Sequence, residues 1–211
     1  MVGRKTTIVP DLWIETGRRI LVEEGAAEVK IDRLAKRLGV SRGGFYHHFR
    51  TRAEFMAELL SLWERTCQFL PQGKPGRTPA EAKAWIELSV ERLIAEDGYD
   101  PLFDMAVRAW ARFDQMASWA IERADRQRID GLEAAFQSLG YSGEQARIRA
   151  RVFYYHQIGF YAVGTRESFG RRRRDAHVYV DILADSDTLA RARGASVARR
   201  GRRKFAALDE G

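Results

Sequence analysis

The stretch Ile31-Asp-Arg-Leu-Ala-Lys-Arg-Leu-Gly-Val-Ser-Arg-Gly-Gly-Phe-Tyr-His-His-Phe49 decides the fold of this 211-residue chain. Its spacing predicts a helix over 31–38, a turn at Gly39 and a second short helix over roughly 42–49. Ala35 lies where the two helices cross, and a larger side chain there would hold them apart. Gly39, four residues on, sits at the turn, where a positive φ is needed and a Cβ would be costly. Leu34, Leu38, Val40 and Phe45 supply the apolar contacts that fix the crossing angle. Ser41 is placed to cap the second helix. The pattern is that of a helix-turn-helix. It leaves Arg42, Gly43, Gly44, Tyr46, His47 and His48 at or near the outward face of a helix able to enter a DNA major groove.

The flanking sequence predicts more helices and no sheet, since no apolar alternation is long enough for one. A helix over 10–24 opens with Pro-Asp, carries Trp13, Gly17, Ile20 and Leu21 on one face, and stops at Gly25. Thr51 caps a longer helix to about residue 69, with Glu54 completing a capping box. The run Pro71-Gln-Gly-Lys-Pro-Gly-Arg-Thr-Pro79 holds three of the five prolines and reads as a long turn. Helices are expected over about 80–96, 101–113, 115–139, 143–168 and 174–184, with breaks at Asp97-Gly98, Gly140 and Arg171–Arg174. The expected architecture is all-α: an N-terminal three-helix DNA-binding unit with its helix-turn-helix, joined by a connecting helix to a larger helical domain. The boundaries are 1–52 for the first, 53–190 for the second with 53–70 as connecting helix, and 191–211 for a basic, disordered tail.

Charge is distributed unevenly. The chain has 36 Lys+Arg against 29 Asp+Glu, a net of +7. Residues 30–52 hold seven bases (Lys30, Arg33, Lys36, Arg37, Arg42, Arg50, Arg52) against Asp32 alone, and residues 191–211 hold seven against two. Residues 71–190 are close to neutral, which argues against a uniformly basic coat protein, and the first cluster is what phosphate neutralisation requires. A solvated helix face is the plainer alternative. No apolar run approaches the ~20 residues of a membrane span, and the N-terminus lacks the apolar centre of a signal peptide, so a cytoplasmic protein is expected. One cysteine, Cys67, excludes an internal disulfide and any cysteine-based zinc module.

Residues 10–65 resemble the DNA-binding domain of the TetR family of bacterial transcriptional regulators. The resemblance rests on Gly39-Val-Ser-Arg-Gly-Gly-Phe-Tyr-His-His-Phe49, on Arg52, on the apolar helix from Phe55, and on Gly25 and Ala35 upstream. It implies that Arg42, Gly44 and His47 face base edges, that Tyr46 and His48 contact the DNA backbone, and that Arg52 binds a phosphate. Chemistry agrees: Arg pairs bidentately with guanine O6 and N7, and Gly43 and Gly44 allow close approach of the backbones. Ser41 joins the phosphate donors. Lys30 stands where the family usually has Thr or Ser; it forgoes an N-cap worth about 1 kcal/mol but offers phosphate a charge. Phe45 and Phe49 read as core, and Tyr46 has packing against the first helix as its alternative. His47 and His48 lie about 100° apart on a helix with no further ligand near, so no metal is expected.

In this family the C-terminal domain dimerises and usually holds a small-molecule pocket. Here the helix over 143–168 becomes apolar nearly all round from Val152, and Ala176, Tyr179, Val180 and Leu183 give the last helix a stripe; together they predict a four-helix homodimer interface, with burial inside one subunit as the alternative. Trp85, Trp110, Phe113, Trp119, Phe153, His156 and Phe160 are the candidates for contact with a small hydrophobic or aromatic ligand, with Phe136 and Tyr155 beside them; ordinary core is their plainer reading. No catalytic motif is present: there is no G-x-S-x-G elbow, no phosphate-cradling loop and no H-E-x-x-H, so no enzyme and no cofactor are expected. Cys67 reads as a buried inert thiol or, alternatively, a redox sensor. The expected function is a ligand-released repressor on palindromic double-stranded operator DNA. The alternative is an architectural DNA binder using its basic tail.

Overall fold

Helix start and stop chemistry sets the elements. The computed structural model describes residues 9–165 and 167–184, and the expected tail over 191–211 lies outside them. Among the described residues there are nine α-helices and no strand: α1 Pro10–Glu24, α2 Ile31–Leu38, α3 Arg42–Tyr46, α4 Arg52–Thr66, α5 Pro79–Ala95, α6 Pro101–Ala111, α7 Gln115–Ser138, α8 Gly143–Ala162 and α9 Phe169–Ala184. A single 3-10 turn, Ala26–Glu28, joins α1 to α2. Pro10 and Pro101 open α1 and α6 at a position where the missing N–H costs nothing. Thr51 accepts the Glu54 amide at 3.1 Å, while the Glu54 carboxylate reaches back to the Arg50 amide at 2.8 Å, one residue beyond the usual capping box. Thr78 and Glu81 make the reciprocal pair at the head of α5, at 3.3 and 3.0 Å.

The chain forms two compact units that do not follow its order. Among the described residues, one comprises 9–70, 95–128 and 159–165; the other comprises 71–94, 129–158 and 167–184. The unit built on the helix-turn-helix therefore extends past residue 52 and takes in α4, α6 and the first part of α7.

In the first unit, Trp13, Ile20, Leu34, Phe45, Phe55, Leu59 and Trp63 are buried together. Gly17 is required by this packing: a Cβ there would stand 2.6 Å from Phe55 Cζ. Behind them lies a buried polar cluster. Asp104 on α6 accepts from Trp63 Nε1 at 2.9 Å, Tyr99 Oη at 3.0 Å and Arg108 Nε at 2.8 Å, with Arg128 Nη1 3.5 Å away. Arg108 also grips Asp125 at 2.7 and 3.0 Å, and Arg128 donates to the Cys67 carbonyl at 2.5 Å while lying over the Trp63 ring. Burial of these charges is tolerable because each is paired and hydrogen-bonded.

In the second unit, the arginine run Arg171–Arg174, expected as a break, lies inside α9. The helix accommodates it because Arg173 pairs with Glu91 at 2.8 Å and Arg172 donates to the Leu93 carbonyl at 3.5 Å, both on α5. Val180 and Ala184 are buried, and Arg149 on α8 donates to the Leu183 carbonyl at 2.8 Å. Among the described residues no helix is long and apolar enough to cross a membrane.

Candidate nucleic-acid interface

Two short helices and one left-handed glycine build the site. Gly39 ends α2 at φ 68°, ψ 30°, and its amide returns to the Ala35 and Lys36 carbonyls. A side chain at that φ would be strained. Ala35 is buried at the crossing as expected. Phe45 is wholly buried and holds α3 from behind, its ring 5.6 Å from Trp13, 5.2 Å from Phe49 and 5.5 Å from Phe55.

The second helix is shorter than the sequence predicts: α3 ends at Tyr46, and His47 and His48 follow in a turn. The 100° advance per residue puts Arg42, Gly43 and Tyr46 on one side of it, the C-cap His47 continues that side in an αR conformation, and all four are exposed. Gly44 points elsewhere, since a Cβ on it would meet Trp13 Cζ2 at 3.5 Å and Val40 Cγ2 at 3.9 Å. Phe49 is buried. Ser41 is the N-cap of α3 by position, but its hydroxyl makes no capping hydrogen bond and stays available to another acceptor or donor. Lys30, the N-cap of α2, likewise caps nothing with its side chain.

His48 is half-buried and turned away from that face. It lines a cleft of about 400 Å³ with Pro10, Ile14, the carboxylates of Asp11, Glu15, Glu54 and Glu58, and a single arginine, Arg65. Such a setting does not favour a phosphate. Among the described residues no group of three or more His, Cys, Asp or Glu side chains is placed to hold a metal ion.

The basic cluster is less free than its count implies. Arg33 pairs with Glu24 and, at 2.5 Å, with Glu28; Arg37 pairs with Glu23 at 2.8 Å and Glu24 at 2.5 Å; Lys30 reaches Glu28 at 3.1 Å. The Lys30 hydrogen bond, with Arg33 beside it, holds the Glu28 carboxyl below the usual carboxylate range. Arg42 Nε pairs with Asp32 at 2.9 Å. Counting Glu23, Glu24, Glu28 and Asp32 against the seven bases leaves residues 23–52 at +3. Among the described residues the Lys36 and Arg50 side chains make no ion pair.

Arg52, at the first position of α4, donates from Nε to the Val29 carbonyl at 2.7 Å and from Nη2 to the Ala26 carbonyl at 2.9 Å. It therefore clasps the 3-10 turn between α1 and α2 through Nε and Nη2.

The aromatic ligand candidates are divided between the two units. Trp85, Phe153 and His156 belong to the second unit; Trp110, Phe113, Trp119 and Phe160 belong to the first. Trp85, Trp110 and Phe153 are buried, and Phe160 is half-buried against Tyr161. Phe113, 92% exposed, and Trp119, 60% exposed, lie on the surface. His156, expected as a polar group within an apolar stretch, is exposed on α8 with its ring 4.9 Å from Tyr179 of α9. Phe136 is buried and Tyr155 exposed. Cys67 is fully buried with its Sγ 3.6 Å from the Asp100 carbonyl, and burial pushes the thiol from 9.0 up to about 12, which disfavours the reactive thiolate.

Residues 14–59 match the family model described as bacterial regulatory proteins, tetR family. Among solved structures, a transcriptional regulator from Rhodococcus sp. Rha1 is similar with a TM-score of 0.59 at 18% identity, over 84% of this chain and 95% of that one. A TetR-like transcriptional regulator from Rhodococcus sp. RHA1 gives 0.59 at 14% identity, over 91% and 99%. SmeT, the repressor of the Stenotrophomonas maltophilia multidrug efflux pump SmeDEF, gives 0.56 at 16% identity, over 87% and 92%. At these identities the likeness is one of fold. No curated protein matches the chain.

Proposed function

We propose, from the premise that this chain belongs to the tetR family of bacterial regulatory proteins through residues 14–59 and is a transcriptional regulator with a DNA-binding domain, that it binds a palindromic operator as a homodimer, represses the genes it controls and is released by a small hydrophobic or aromatic ligand. One observation carries the DNA reading: Arg42, Gly43 and Tyr46 of a five-residue helix and His47, its C-cap, stand exposed while Phe45 anchors the helix from the other side. Arg42 and His47 read base edges. Tyr46, Ser41, Lys30 and Arg52 take phosphates, which position the helix without reading sequence. Gly43 lets the backbone come close.

Dimerisation is supported by the second unit. Val152 and Tyr155 on α8 and Val178, Tyr179 and Ile182 on α9 are exposed apolar side chains, and a second copy placing the same two helices against them would cover both sets. One short helix reads few bases; two of them about 34–36 Å apart read a palindrome. The ligand reading rests on Trp85 and Phe153, both buried, and on the Trp85 indole N–H, which has no hydrogen-bond partner among the described residues. An acceptor on a ligand would satisfy a group whose unpaired burial costs about 1–3 kcal/mol. Ligand binding releases DNA by favouring a dimer whose helices are wrongly spaced. Repression follows SmeT, named as a repressor and similar in fold.

A mobility-shift titration on the DNA flanking the protein's own gene tests the reading. Saturable binding well below the concentration needed for random duplex is expected. Equal binding to both at physiological salt would remove the sequence-reading role.

A further inference from the structure

We propose that Asp32 is a positioning residue for base readout: from α2 it holds the Arg42 guanidinium by Nε and so presents the two Nη nitrogens to a guanine. The inference rests on the reading of Arg42 as a base-facing residue.

The contact is 2.9 Å, between Arg42 Nε and Asp32 Oδ1, and both side chains are well exposed, at 61% and 71%. An ion pair this open adds little to folding stability. Its position is what distinguishes it. Glu23, Glu24 and Glu28 pair with Arg33, Arg37 and Lys30, tying α1 and the 3-10 turn to the start and body of α2. Asp32 instead reaches from the first turn of α2 to the first residue of α3, at the edge of the outward face. A carboxylate there is a liability for a helix that must approach phosphates, because it repels them. It makes sense where its partner has a task that a mobile arginine does badly.

Guanine offers O6 and N7 side by side in the major groove, and an arginine meets them with two N–H groups in a fixed plane. A free arginine samples many rotamers and takes the nearest phosphate as readily as a base. The ion pair at Nε biases the side chain toward one arrangement before DNA arrives, and leaves the end-on pair of Nη nitrogens to meet the base. Asp32 thus trades some general attraction to DNA for discrimination at one base pair. That trade predicts opposite signs for specific and non-specific binding when the carboxylate is removed.

The test uses the full chain and a pool of randomised duplexes from which the wild-type protein selects its own sites. Asp32→Ala and Asp32→Asn should fold as the wild type does, because the pair is exposed. Both should bind random duplex more tightly, and their preference for guanine should fall by about two- to fivefold at one position in each half-site. Arg42→Ala should flatten that same position, and adding Asp32→Ala to it should change the preference no further. If the Asp32 variants strengthen all sequences alike and keep the guanine preference that Arg42→Ala loses, Asp32 is only a charge and the inference is wrong. If Arg42→Ala leaves every preference intact, the base-facing role of Arg42 falls first, and the role of Asp32 falls with it.

Discussion

Gly43→Ala should make the protein more stable and a poorer DNA binder at the same time. A Cβ on Gly43 would have only Ser41 Oγ near it, at an ordinary 3.6 Å, and no left-handed φ demands a glycine there. The fold therefore gains from alanine: about 0.5–1 kcal/mol by helix propensity, taken at the lower end because α3 is a single short turn. For a chain of this size that is a rise in Tm of about 1–2 °C. DNA binding moves the other way, because Gly43 lies at the centre of the outward face between Arg42, Tyr46 and His47. A methyl there holds the α3 backbone off the groove, and a loss of about tenfold, or 1.4 kcal/mol, is expected. Gly44→Ala is the control. Its methyl turns inward, into van der Waals contact with Trp13 and Val40, so stability should rise similarly with affinity unchanged. Calorimetry and fluorescence anisotropy on one selected duplex give both readings. Weakened binding by Gly44→Ala, with Gly43→Ala silent, would refute the assignment of the outward face.

Other consequences can be measured independently. Arg52→Ala removes two charge-assisted hydrogen bonds to the Ala26 and Val29 carbonyls and should cost about 1–3 kcal/mol in denaturant titration. The same variant should lower the salt slope of DNA binding by about 0.9, and an unchanged slope would leave Arg52 with the clasp alone. Asp104→Ala removes the buried carboxylate that faces Arg128 and Arg108 and accepts from Trp63 and Tyr99; a cost of about 3–5 kcal/mol, seen as a fall in Tm on the order of 10 °C, is expected. Cys67 has a thiol raised in the folded state from 9.0 to about 12, so its contribution to stability is complete below pH 9 and declines as pH rises toward 12. Cys67→Ala should flatten that alkaline decline, and the folded wild type should resist thiol reagents at neutral pH; rapid labelling would contradict the burial.

The helix-turn-helix was legible because its signals are local. Gly39, Ala35 and the apolar set around Phe45 each answer a requirement that lies within a few residues along the chain. What could not be read depends on neighbours distant in sequence. Arg171–Arg174 resemble a break until Glu91 and the Leu93 carbonyl arrive to receive them. The basic cluster looked fully free because Glu23, Glu24 and Glu28 stand just upstream, and only the packing of α1 on α2 turns them onto Arg33 and Arg37. An aromatic at helical spacing does not declare which side is covered: Phe113, Trp119 and His156 are exposed where Trp85 and Phe153 are buried. The Asp104 cluster had a sequence signal: Asp104 and Arg108 four apart, and Asp125 and Arg128 three apart, on otherwise apolar helix faces.

The most direct measurement is the affinity of the full chain for the duplex flanking its own gene, against a random duplex of equal length, over a range of salt. Sequence reading by α3 predicts that the first binds at least about 10³-fold more tightly at physiological salt, and that Arg42→Ala narrows the gap. Two duplexes bound alike, with affinities falling together as salt rises, would mean that the basic surface holds phosphates and reads nothing.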